Sequence, residues 1–387
     1  MSQVIGMVVQ VVLAVGISAG LFIGANKLVD LLPSNAAAKV RPWVFVGPAL
    51  LFLTFALVIP TIRTVYLSVL NRDSSEFVGG ENYGWAFTND EIFNVDGAGD
   101  IFTSWLFIAG VVLALIGVVV ALLRGPKVGT RADFSGGGSL LVLAGVIAVL
   151  FAVFTSMRGV IWNNLWWVFG VTFIATAVGL AIAVLADRMR GESIAKSLIF
   201  LPMAISFVGA SVIYRFVYNF QPQEVEQIGV LNAVWKGLGG QTVAYLQEIP
   251  WNTFFLMVVL IWIQTGFAMV VLSAAIKAVP DEYLEAARVD GATESQIFWR
   301  VTLPQLYTTI GVVVTTTIVL VMKVFDIVKV MTNGEFATNV IANEQFDQSF
   351  RFNDYGRGAA LAVILFVAVL PIIIVNVRRI RREAELV

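Results

Sequence analysis

Five polar side chains stand in or beside long apolar runs, where they could contact a solute. Tyr214, Tyr218 and Asn219 close one run, Gln264 lies inside another beside Thr265 and Gly266, and Lys323 nears the end of a third. Polar groups are costly to hold at membrane depth, so each is a functional candidate by default. Each also has a structural alternative. Lys323 lies three residues before Asp326, the spacing of a self-compensating ion pair on a helix, and Arg215 and Lys329 are expected to snorkel to an interface. A second set lies in a polar loop: Glu285, Ala286, Ala287, Gly291, Leu303 and Pro304. These residues suit docking rather than bond-making, because small side chains let another body approach closely. The chain has no cysteine and no histidine. That removes disulfides, thiolate nucleophiles, zinc and haem ligation and imidazole acid–base work together, and it argues against an enzyme.

The elements that must position these groups are membrane helices. Of the 387 residues, 58% are hydrophobic and 13% charged, far from the roughly 25% charge of a soluble domain. Net charge is −1, which leaves no electrostatic case for nucleic acid. About 20 apolar residues cross a bilayer, and nine stretches qualify: 4–24, 43–69, 102–123, 139–156, 163–185, 197–218, 252–277, 306–330 and 358–377. The fold class expected is therefore an all-α polytopic membrane protein surrounded by lipid bilayer.

Lys and Arg sort the connections between these spans. With the N-terminus outside and the C-terminus inside, sixteen fall on the inner side. Five, namely Arg72, Arg158, Lys236, Arg351 and Arg357, fall on the outer side. Positive charge concentrates in the cytoplasm, so this orientation is the one expected. No charge precedes the first apolar run and Lys27 follows it, the reverse of a secretory signal, so that run reads as a retained anchor.

The inner loop between spans seven and eight has the grammar of two short helices. Pro280 suits a first helical position, and Asp281 and Glu282 favour the positive end of the dipole. Gly291 reads as the left-handed residue that ends the first helix. Thr293 and Gln296 have capping-box spacing for the second, which Pro304 ends.

The spacing Glu285-Ala286-Ala287, three residues, Gly291, nine residues, Val301, one residue, Leu303-Pro304 resembles the EAA signature of binding-protein-dependent ABC importer permeases. Further blocks extend the likeness. Phe77–Tyr83, Ser197–Tyr218, Gly229–Asn232 and Val324–Gly334 resemble the maltose and alpha-glucoside branch of that family. The resemblance covers about 43–83 and 160–380 and implies a six-helix core. The three extra spans lie in an N-terminal segment (1–42) and an inserted pair (101–157). Between them sit the first core helix and outer loop (43–100), and after them the core domain (158–380, coupling loop 280–304) and a tail (381–387).

The resemblance further implies a permease in the bacterial inner membrane that carries a sugar by alternating access. The sugar would meet Tyr214, Tyr218, Asn219, Gln264 and Lys323, which supply donors, acceptors and aromatic faces. The implied partners are a second permease of related fold, two copies of an ATPase bearing ATP and Mg, and an extracytoplasmic solute-binding protein. No Gly-x-x-x-x-Gly-Lys-Ser/Thr loop occurs in this chain, so nucleotide chemistry must come from that ATPase and no cofactor is expected here. Two rival readings are an ion-gradient transporter, which would want buried mid-membrane carboxylates, and a membrane-embedded enzyme.

Overall fold

The computed structural model describes residues 22–123, 137–187 and 191–384, together with Gly16, Gly20 and Met189. The expected span 4–24 and the connection bearing Arg124, Lys127 and Arg131 lie mostly or wholly outside the described residues. The described residues are mainly helical, and their only β-type pairings are two isolated bridges, Leu70 with Phe77 and Asn94 with Arg158. The all-α class expected from composition is what the chain adopts.

The chain divides into two units, Met1–Tyr66 and Leu67–Val387. In the first, a helical stretch at 22–30 turns into the long helix α1 (Ser34–Leu67). Arg41 pairs with Asp30 at 2.5 Å and the Phe22 and Phe45 rings meet edge-on at 4.9 Å across that turn. α1 begins nine residues before the apolar run at 43, because Pro33 takes its N-cap and Ala36, Ala37 and Ala38 are strong helix formers. A π-turn at Thr54–Val58 precedes Pro60, whose missing N–H frees a carbonyl in that stretch.

The second unit is built around α7. In chain order it holds α2 (Trp105–Leu123), α3 (Gly137–Ser156), α4 (Val160–Ala186), α5 (Glu192–Phe200), α6 (Phe207–Val217), α7 (Trp251–Lys277), α8 (Asp281–Val289), α9 (Glu294–Ile297), α10 (Tyr307–Val321), α11 (Asp326–Met331), α12 (Ile341–Phe346) and α13 (Tyr355–Ala384). In α7, 61% of the most apolar window is buried, against 17% in α2 and in α3. α7 is thus the centre of the bundle, while α2 and α3 are a peripheral hairpin. α4 and α7 cross where Gly179 meets Ala268, and a Cβ at Gly179 would lie 2.6 Å from the alanine's own Cβ. The hairpin is docked by its aromatics, Phe154 against Trp166 at 5.1 Å and Phe151 against Trp251 at 5.0 Å.

Among the described residues, six helices are long and apolar enough to span a bilayer, and two bent pairs raise the number to eight. Both bends touch stretches expected to be single spans. The 197–218 stretch turns by 101° between Ala204 and Phe207. Pro202 removes a helical donor there and the Ser206 hydroxyl accepts from Gly209 N–H at 3.1 Å, starting a fresh helix. The 306–330 stretch ends at Val321 and restarts as α11, and its beginning is bent by 64° from the Glu294–Gln305 segment.

α2 and α3 touch backbone to backbone. A Cβ at Gly145 would sit 2.5 Å from Ala114 N and one at Gly117 2.6 Å from Val142 N. Gly145→Leu is therefore expected to force the hairpin apart and cost about 1–3 kcal/mol as overpacking does. The check is a lowered thermal midpoint of the detergent-purified chain; an unchanged midpoint would mean that the two helices pack less closely.

Candidate functional site

The loop between α7 and α10 is assembled from local signals. Pro280 takes the N-cap of α8 (φ −61°, ψ 132°), one residue before the helical position expected for it, with Asp281 and Glu282 in the first turn. α8 closes in a Schellman motif: Gly291, at φ +78°, donates to Arg288 O at 3.0 Å, and Ala292 N–H donates to Ala287 O at 3.0 Å. The next residues start α9 through a reciprocal box, Thr293 N–H to Gln296 Oε1 at 2.8 Å and Gln296 N–H to Thr293 Oγ1 at 3.4 Å. Arg288 Nε donates to Glu294 at 3.1 Å across the two helices. Both partners are half-exposed, so the pair orients more than it stabilises.

One side of this helix pair faces the bundle. Leu284, Ile297 and Phe298 border a cavity of about 230 Å³ against Val184 and Ile276. The other side is open: Glu285, Ala286 and Gly291 are exposed, and Ala287 is half-buried. Tyr283, Trp299 and above all Val289, 87% exposed, add apolar surface. Leu303 and Pro304 lie in a short turn, Leu303–Gln305, after a π-turn at Phe298–Thr302. As at Pro60, the proline's missing donor leaves a carbonyl free in the preceding stretch. Leu306, 1% exposed, is the pivot from which α10 departs. The six loop residues read from the sequence thus share one compact motif.

The five solute-contact candidates do not. Tyr214 and Tyr218 pack ring against ring at 5.5 Å, and Tyr218 joins Tyr245 and Phe255 in an aromatic cluster where its hydroxyl donates to Phe255 O at 3.2 Å. Tyr218 and Asn219 line a cavity of about 260 Å³ with Arg215, Gln247, Thr332 and Phe336. Gln264 is buried in the middle of α7, away from that cavity's lining. Lys323 is exposed at the break between α10 and α11 and makes no ion pair with Asp326. The break replaces the helical register that an i,i+3 pair requires. Two other cations, expected to snorkel, have specific partners. Arg215 Nη1 donates to Val330 O at 3.1 Å, and Lys329 meets Asp347 at 2.7 Å beside the Phe346 ring.

The sequence profile of the family described as "Binding-protein-dependent transport system inner membrane component" matches residues 42–381. The chain belongs to this family. The alpha-glucoside transport system permease protein AglF of Rhizobium meliloti (strain 1021) is 39% identical over 398 residues, covering 99% of each chain. The osmoprotective compounds uptake permease protein GgtC of Synechocystis sp. is 42% identical over 343 residues, covering 89% of this chain and 100% of the relative. A solved bacterial ABC transporter that imports the acidic polysaccharide alginate shares the fold, at TM-score 0.54 and 18% identity over 89% of this chain and 98% of its own. The expected family assignment holds. The protein is a multi-pass inner-membrane permease subunit of the maltose/alpha-glucoside type, and the ATPase of such an importer is a separate subunit.

Two groups of residues in this permease escape a reading of the sequence. At the loop end, Lys277 reaches Glu192 at 2.6 Å and Asp187 at 3.8 Å, and Lys196 reaches the same two carboxylates and Ser273. The cluster joins the adjoining ends of α4 and α5 to the end of α7, which is distant in sequence (Lys196 and Ser273 are 77 residues apart). At the opposite end, asparagines at the starts of α4 and α7 hold the 332–340 connection. Asn163 donates to Ala337 O and Asn339 O at 2.7 and 2.9 Å, and Asn252 donates to Phe336 O at 2.7 Å. Asn163-Asn164 and Asn252 at the mouths of apolar runs were the available signal.

The Lys329–Asp347 pair can be tested directly. Asp347 is 8% exposed and Lys329 26%, so Lys329→Met leaves a buried carboxylate without its partner and is expected to cost about 3 kcal/mol. The double variant Lys329→Met, Asp347→Leu should recover most of that in denaturant unfolding. Equal losses in the single and double variants would show that the ion pair is not the cause.

Proposed function

We propose that this permease forms, with a second permease of related fold, the transmembrane path for an oligosaccharide of the alpha-glucoside kind. Its Pro280–Pro304 loop seats on an ATPase subunit. The substrate class is supported by the relatives, which include the alpha-glucoside permease and a trehalose/maltose permease of Thermococcus litoralis, 31% identical over 216 residues. Two ATPase copies bearing ATP and Mg and an extracytoplasmic solute-binding protein complete the assembly. The sixteen-to-five asymmetry of Lys and Arg supports a cytoplasmic loop, an outer N-terminus and an inner C-terminus.

One observation carries the coupling role. A helix pair with both internal ends locked exposes Glu285 and Ala286 on its free side and continues, through the pivot at Leu306, into the membrane helix α10. A rigid body of that kind passes a push from the ATPase to the span rather than absorbing it. Closure of the ATPase pair would draw two such loops together and alternate access to the path. Tyr218 and Asn219 are the residues we place on the path, since they line one cavity. Gln264, on α7, and Lys323, at the break between α10 and α11, are not in that cavity.

The coupling proposal predicts that Ala286→Trp leaves the chain inserted and complexed yet abolishes ATP-dependent sugar uptake in reconstituted vesicles. Gly291→Pro should do the same, because φ +78° is closed to proline. Uptake at the unsubstituted rate in both variants would refute the seat. The orientation is checked in a chain with no native cysteine. The thiol of a Ser295→Cys variant should react with an impermeant maleimide only in inverted vesicles.

A further inference from the structure

Two cavities at the end of the bundle opposite the Pro280–Pro304 loop, of about 510 and 380 Å³, share Glu91, Gly334, Asn339 and Glu344 in their linings. They are two lobes of one elongated cleft, between the 72–92 connection and the 333–357 segment. The loop at 332–338 borders both this cleft, through Gly334, Glu335 and Ala337, and the Tyr218/Asn219 cavity, through Thr332 and Phe336. Each lobe by itself falls within the range of small-molecule sites, roughly 300–1,000 Å³.

The wall is preformed. Asn333, Gly334, Phe336 and Ala337 all hold φ between 54° and 80°, a run that L-residues adopt only when their surroundings impose it. Asn339 donates to Glu344 at 2.6 Å and Gln348 donates to the same carboxylate at 2.8 Å. Three charged side chains of the first lobe enter no ion pair or side-chain hydrogen bond among the described residues: Glu91 and Glu335, both carboxylates, and Arg351. An anion would meet the two carboxylates and a cation would meet the guanidinium. A neutral solute rich in hydroxyls can donate to the former and accept from the latter, and charged hydrogen-bond partners are the stronger kind. Trp85 also lines the lobe, with the Arg357 guanidinium, itself paired to Asp354 at 3.5 Å, stacked over its ring at 4.6 Å.

We infer that this cleft is a second binding subsite, for a neutral oligosaccharide of two or three hexose units, distinct from the Tyr218/Asn219 cavity and placed before it on the way in. The choice of an oligosaccharide built from glucose rests on the proposed function. The existence of a hydroxyl-binding cleft rests on the cleft.

The test uses the assembled complex without nucleotide, with Asp90→Cys as the reporter in the second lobe. Asp90 is exposed, and no native thiol competes for reagent. Saturating maltotriose should slow thiol labelling about tenfold, the ratio for nine clefts in ten filled. Adding Arg351→Gln in the first lobe should return the rate to that without sugar, because one ligand spans both lobes. No protection, or protection that survives Arg351→Gln, would overturn the subsite. Protection seen only when the solute-binding protein is added would overturn it too, marking a protein-docking surface instead. ATP-dependent uptake by the same Asp90→Cys complex is measured alongside. Absence of protection with uptake intact defeats the subsite alone, and loss of ATP dependence defeats the transport reading.

Discussion

A buried backbone carbonyl or amide left unpaired costs free energy comparable to a lost hydrogen bond, and this constraint bears on the places where the permease buries a departure from a straight helix. The chain meets it repeatedly with asparagine, whose side-chain amide offers the same donor and acceptor as a peptide group. Asn164 is the clearest case. Its Nδ2 donates to Met322 O at 3.0 Å, just where α10 ends, and its Oδ1 accepts from Ile341 N at 2.9 Å, just where α12 begins. Asn82 donates to Ser68 O and Leu70 O past the end of α1, at 2.9 and 2.7 Å. Asn232 donates to Asn219 O and Val243 O and accepts from Val243 N. Each of these three is at most 7% exposed, so water cannot take its place. The irregular segments are consequently fixed structures with specified partners.

This explains what could be read from the sequence. The Pro280–Pro304 loop was legible because its determinants are neighbours: a glycine that must turn left-handed and a threonine with a glutamine three residues on form their bonds whatever surrounds them. The helices themselves were legible because apolar length suffices. The break after Val321 was not, since nothing within 306–330 announces it; the partner that makes it possible is Asn164, 158 residues from Met322. For the same reason Lys323 and Asp326 looked like a helical pair. Their separation depends on a break that only a distant side chain supports.

The candidate path residues show the same division. Tyr218 and Asn219 were named from residue type and do line a cavity, but its other walls, Gln247, Thr332 and Phe336, come from connections whose course no periodicity describes. Gln264 was equally plausible by type. Its place in the centre of α7, in the most buried helix of the bundle, follows from the close crossing of α4 and α7 at Gly179 and Ala268, which pattern alone does not locate.

The broken helices also bear on how the two ends of the molecule communicate. From the exposed Ala286 the chain runs through the locked pair α8–α9, the buried pivot at Leu306 and the fifteen residues of α10 to Met322, where Asn164 grips the terminal carbonyl. The same asparagine grips the start of α12, beyond the left-handed run at 333–337, and its neighbour Asn163 holds the exit of that run. A shift of α10 along its axis therefore cannot be absorbed by slack at its far end without giving up a buried hydrogen bond, worth about 1–3 kcal/mol when left unmade. The alternative is for α4, α10 and the connection to move together. Since α4 also ends beside the loop, at the Asp187–Lys277 cluster, a displacement at the loop reaches the opposite end by two helices at once. Under the proposed function, that is the coupling alternating access would require of this bundle, and it would rest on a few amide side chains rather than on the apolar surfaces that make up most of the protein.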